Sequence, residues 1–133
     1  MFFRNCFTAI LFGSLLSAAS AVPAAAGQYG ALSAGFWKDE NGVLHVTSGV
    51  AKNFRSPGLA ADAANEACLE EGRNCHVVRT FSHGGCGYIS VGKNTHATRF
   101  GLGATPQRAY DDCRAPGFDC KPAKGGCTSQ YDD

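Results

Sequence analysis

Six cysteines, Cys68, Cys75, Cys86, Cys113, Cys120 and Cys127, are the residues whose type and spacing most constrain the chemistry open to this 133-residue chain. Thiolates can hold zinc, act as nucleophiles, or pair as disulfides in an oxidising compartment. Cys68, Gly72 and Cys75 match Cys113, Gly117 and Cys120, both sets reading C-x3-G-x2-C. The gap between the cysteines is longer than the two to four residues usual in zinc sites. The seventh cysteine, Cys6, falls in the expected signal segment; the even count left in a short exported chain points to disulfides, and six can pair in 15 ways. The repeated spacing favours Cys68 with Cys75 and Cys113 with Cys120, leaving Cys86 for Cys127. On the chain-entropy estimate, a loop of about eight residues contributes roughly 2.5 kcal/mol and one of about 42 roughly 4 kcal/mol. The long pair is expected to tie the two copies of a repeat together.

Other chemistry finds less support. His45, His76, His83 and His96 do not pair at metal-ligand spacing on a helix, so no metal and no cofactor is expected. Ser90 sits in GYISVG, but Ser33 holds the same place in GALSAG, and a serine repeated with the scaffold reads as structural. Neither is the G-x-S-x-G nucleophile elbow. Glu70 and Glu71, like Asp111 and Asp112, are adjacent and diverge on a helix, so they form no acid/base pair. The glycines at 84–85 and 101–103 lack the lysine of a phosphate loop and read as turns. No catalytic residue is therefore assigned. The alternative from another class is a small secreted hydrolase with its site near His76, His83 and His96.

The elements that must position these residues also come in duplicate. GALSAG at 30–35 recurs as GYISVG at 87–92, each a strand bounded by glycines. Turn signals come next, Asp39 to Gly42 in the first copy, with an Asn-Gly hairpin signal, and Lys93 with Asn94 in the second. Returning strands are expected at 43–50 and 96–102. Thr105 and Pro106 open the second helix as N-cap and first residue, and Ser56 and Pro57 can do the same for the first. Ala60, Ala64, Ala67 and Cys68 share one small-residue helix face. Gly72 and Gly117 are expected to end the helices in the left-handed region. Strands are then expected at 76–81 and, more weakly, at 121–124, where Pro122 allows only an edge or an extended segment. The predicted fold is α+β, a duplicated β-β-α-β unit over about 30–86 and 87–127. It forms one antiparallel sheet with two short helices packed on it.

The first hairpin is five residues longer than the second, and seven more residues are expected in a loop before the first helix. Trp37, Phe54 and Arg55, with the stretch 52–59, lie in material the second copy lacks. Extra loop on a stapled scaffold is where binding residues gather, so these three are the candidate binding residues. The competing reading makes Trp37 a core residue.

Arg4, an apolar run over 6–16 and the alanines at 24–26 have the parts of a secretory signal, with cleavage after Ala26 or Ala21. The run is too short to cross a bilayer, so no membrane span is expected after cleavage. The remainder, 27–133, is long enough for a single domain with a modest core. Its basic and acidic residues balance and lie scattered, which argues against nucleic acid as a partner.

Taken together, the hairpins, the helix alanines Ala64 and Ala109, Cys68, Cys75 followed by His76-Val-Val, Cys86-Gly87, Cys113, Cys120 and Cys127 carry a resemblance. The pattern is similar to the family called domain of unknown function 4189, found in small exported bacterial proteins. No activity attaches to that family, so the resemblance implies no catalytic residues. The expected function is that of a non-enzymatic protein-binding module in the periplasm or outside the cell, inhibitor-like, immunity-like or a secreted factor. A structural envelope component is a further alternative.

Overall fold

The structure, a computed structural model, describes residues 27–130. The expected signal segment, 1–26, lies outside them. The elements are β1 (Tyr29–Lys38), β2 (Leu44–Phe54), α1 (Pro57–Glu71), β3 (Cys75–Ser82), β4 (Cys86–Lys93), β5 (Thr98–Gly103), α2 (Pro106–Cys113), β6 (Asp119–Cys120) and β7 (Lys124–Cys127). The order β-β-α-β thus runs twice, with the last strand of the second round split in two around Pro122. Proline has no N–H to give a ladder, which is why pairing stops there and resumes at Lys124.

The class is α+β with two helices and three disulfides, as expected, but the strands divide into two antiparallel sheets rather than one. One has the order β2-β1-β3, and in the other β4 is flanked by β5 on one side and by β6 and β7 on the other. Each round of the order closes its own sheet, because β1 and β4 each have both edges taken by strands of their own half. Alternation along β1 shows what the two faces do. Leu32 and Ala34, with Val46 of β2, pack on Ile89 and Val91 of β4, so the sheets lie face to face. Ala31 and Ala51 turn the other way, onto Ala60 and Ala64 of α1. The layers therefore run α1, first sheet, second sheet, α2. Leu32 and Ile89 are at most 1% exposed, and each such burial is worth about 2 kcal/mol.

Small residues set the helix-to-sheet distance. Ser33 pairs with Gly49 across β1 and β2, and Ser90 pairs with Gly101 across β4 and β5. A Cβ added at Gly49 would strike the Ala64 carbonyl and the Cys68 amide. One added at Gly101 would strike the Ala109 carbonyl and the Cys113 amide. The two serines are fully buried on these helix-side faces. Ser33 donates to Asn65 Oδ1 of α1 and Ser90 to the Lys121 carbonyl, both at 2.6 Å.

Both helices begin as their sequences require. Ser56 Oγ accepts from Leu59 N and Thr105 Oγ1 from Arg108 N, each at 3.2 Å with a proline following. Their ends differ from expectation. Gly72 is extended, with φ −166°, and is small because Trp37 and Thr47 fill the space a Cβ would take. Gly117 does have φ +80°, but it lies in the loop beyond Arg114, which ends α2. The loop expected over 52–59 is also absent. Three of its seven extra residues lengthen β2 past Ala51, and four add a turn to α1 ahead of Cys68, leaving Arg55 and Ser56 as the connection.

The disulfides are Cys68–Cys75, Cys113–Cys120 and Cys86–Cys127. The first two fasten each helix to the strand after it, over Gly35 and Gly92. The third does not tie the halves together. Cys86 and Cys127 face each other across β4 and β7, so this bond staples neighbouring strands of the second sheet. The halves are joined instead by their packed faces, by the link from Ser82 to Cys86, and by Phe81, whose ring covers both Gly30 and Gly87.

Candidate functional site

The end of the fold where the hairpins turn carries five residues that the second half lacks. Register equates Phe36↔Val46 of the first sheet with Lys93↔Thr98 of the second, where the second hairpin turns. The pairs Trp37↔His45 and Lys38↔Leu44 therefore overhang it. On this overhang the Trp37 and His45 rings stack, with centroids 5.2 Å apart and planes 13° from parallel. Both are half-buried. His45 Nε2 lies 2.8 Å from Asp39 Oδ2. The other Asp39 oxygen accepts from the amides of Asn41 and Val43, at 2.8 and 3.0 Å. The turn is thus built round a carboxylate. Among its residues Gly42 takes the left-handed conformation, at φ +77°, and Asn41 does not, unlike the two-residue hairpin turn expected.

The hydrogen bond from His45 first, and then the Val43 amide, hold the Asp39 carboxyl below its ordinary value. A folded-state value below the unfolded one stabilises the ionised form, so the contribution is complete above about pH 4. It is lost as the pH falls through the depressed value. We expect the amide signals of Asn41 and Val43 to shift together below about pH 4 while those of β4 hold still. Asp39→Asn should abolish that transition. Joint movement of both sets would show that Asp39 has no local role.

Beside the turn, a groove of about 480 Å³ opens between the two hairpin ends and the loop after α2. Val43, Leu44, Lys93, Thr95 and Asp119 line it. Val43 is 48% exposed, a large apolar side chain on the rim. Phe36 and Phe100 stack across the two sheets nearby, their centroids 6.0 Å apart.

The candidate binding residues do not come together. Tyr29 is the partner of Phe54 and His45 that of Trp37, so Phe54 and Trp37 lie eight residues apart along the hairpin, about 26 Å. Phe54 is packed against the alanine cluster under α1. Arg55 beside it is exposed. Of the three, Trp37 alone sits at the hairpin end, its ring against Gly72 on the face opposite the groove. The histidines are likewise dispersed. His76 is opposite Ala34 on β3, His83 follows that strand against Tyr29, and His96 is in the turn before β5. No three His, Cys, Asp or Glu side chains among the described residues converge as a metal site.

The model for the domain of unknown function DUF4189 matches residues 29–131. The chain belongs to this family. No curated protein and no solved structure matches it. The matched DUF4189 span contains every element from β1 to β7 and all three disulfides. Of the overhang residues, the sequence marks Asp39 as a turn signal and His45 as a strand residue, with nothing to link the two. One signal would have joined them. Centring the hairpin turn on Asn41 makes Trp37 and His45 direct cross-strand partners and puts Asp39 two residues from the tryptophan.

Proposed function

We propose that this chain is an exported, disulfide-stapled module that binds a protein outside the cytoplasm through its hairpin end. The overhang carries the reading. It presents a stacked Trp37–His45 pair, a groove and an exposed Val43 on a five-residue extension that the second half lacks. Aromatic side chains with a polar partner are the usual anchors of protein interfaces, and residues outside the common scaffold are where specificity collects. All six cysteines of the described residues are paired, which supports an oxidising compartment. The scattered histidines give the hydrolase alternative no shared site.

The test is photo-crosslinking in the native cells, with a benzophenone side chain at position 43 and, as control, at position 69 on the outer face of α1. One protein adduct from position 43 and none from 69 is expected. Trp37→Ala and His45→Ala should each reduce it at least fivefold, and joint alanine changes at His76, His83 and His96 should not. Equal adducts from both positions, or none, would favour an envelope component. Loss with the triple histidine change would favour the enzyme.

A further inference from the structure

The free edge of β2 is lined by lysines from the other half of the chain. Lys93 Nζ donates to the Leu44 carbonyl at 2.7 Å, and Lys121 Nζ to the Val46 carbonyl at 3.4 Å. Leu44 and Val46 are alternate residues of an edge strand, so their outward carbonyls lie about 7 Å apart, and each holds one of the two ammonium groups. An ammonium has three donors, and each of these has one on a carbonyl. Neither has a carboxylate within 4.0 Å among the described residues, whereas Lys124, next along, is 3.6 Å from Glu71. Lys93 is half-buried and lines the groove beside Val43.

We infer that Lys93 and Lys121 receive an extended acidic segment of the partner protein, lying along β2 with carboxylates at two alternate positions. The spacing carries this. Side chains i and i+2 of an extended chain fall on one face about 7 Å apart, the same interval as the two carbonyls to which the cations are held. Charge complementarity then fixes the register, and the groove takes an apolar side chain beyond the first acid. Asp119 on the groove wall disfavours a third acid there. Lysines laid against an edge strand also discourage uncontrolled pairing of that edge. Here the same two residues admit an acidic strand while refusing a neutral one. The inference rests on the proposed binding role of this end and adds the chemistry of the partner.

The test uses the disulfide-intact chain and three labelled threonine-rich peptides, read by fluorescence anisotropy at 50 and 150 mM salt. One has aspartates at two alternate positions, one has them adjacent, and one has asparagines instead. The alternate-aspartate peptide should bind saturably, at least fivefold tighter than the adjacent isomer, and the asparagine peptide should not saturate. Lys93→Gln and Lys121→Gln should each weaken it about fivefold, with Arg79→Gln, on the opposite edge strand β3, unchanged. Lys121→Glu should lose the peptide and regain it when one aspartate becomes lysine. Equal binding of the two aspartate isomers, or undiminished binding by the double glutamine variant, would overturn the inference. The cross-link at position 43 reads the site independently. If it persists while the peptides fail, the chemistry assigned to the partner is wrong and the location stands.

Discussion

Gly49→Ala should cost about 3 kcal/mol, among the largest effects of any single methyl added to this chain. The new Cβ would press on the Ala64 carbonyl and the Cys68 amide, which are backbone atoms of α1 and cannot rotate away. Relief requires lifting the whole helix off β1 and β2, and Cys68, held to Cys75, resists that movement. Overpacking of 1–3 kcal/mol is usual, and rigid contacts on both sides put this site at the upper end. For a chain of this size the loss amounts to a fall in melting temperature of roughly 15 °C. Gly101→Ala should act the same way on α2, where Ala109 and Cys113 supply the obstructing backbone. Gly58→Ala is the internal control. It lies in the first turn of α1 with nothing within 4 Å of the added atom, so it should gain about 0.5 kcal/mol through helix propensity. Thermal melts of the three variants decide the matter. A loss under about 1 kcal/mol at Gly49 would mean that the helices do not sit as close as described.

Removing Cys86–Cys127 should destabilise by about 4 kcal/mol, more than removing either short disulfide. That bond has a sequence separation of 41, and the loop it closes holds β4, β5, α2, β6 and β7. Its loss frees the denatured chain of the entire second half. Cys68–Cys75, at a separation of 7, contributes about 2.5 kcal/mol by the same estimate. A further 1 kcal/mol or so is lost there, because Cys68 is fully buried and alanine leaves a void. Urea melts of the two double-alanine variants should therefore rank Cys86/Cys127 below Cys68/Cys75, with the steeper slope expected when more surface is exposed on unfolding. The reverse ranking would mean that the bond's position within one sheet, rather than the loop it closes, sets its contribution.

The disulfide partners were legible in the sequence because the C-x3-G-x2-C spacing occurs twice and leaves one remaining pair. The helix starts were legible for a local reason. Ser56-Pro57 and Thr105-Pro106 each satisfy an amide three residues on, an interaction complete within four residues. What the third disulfide joins was not legible. That depends on Cys86 opening β4 rather than closing the first half, a matter of long-range register. The division into two sheets was hidden likewise, since both arrangements ask the same alternation of Leu32, Ala34, Ile89 and Val91. The excess before the first helix reads as loop in composition, yet past a register shift Phe54 continues the ladder because Tyr29 is there to pair with it. At the site, Trp37 stood out by type and by its place in the longer hairpin. Lys93 and Lys121 looked like isolated surface charges, and their alignment on the β2 edge exists in three dimensions alone.

Phe81 adds a consequence for how such a chain can change. Its register partner is Gly30, and the corresponding place in the second sheet, opposite Gly87, is Gly126. The ring of Phe81 already occupies the space over both Gly30 and Gly87. A second ring at Gly126 would compete for the same room, where Lys52 now lies. Two identical halves would collide at their own midpoint, so exact rotational repetition is forbidden at this one spot. The chain is in effect a heterodimer written in a single polypeptide. Exchanging its halves, or replacing the second by a copy of the first, would bring two keystones to a vault with room for one.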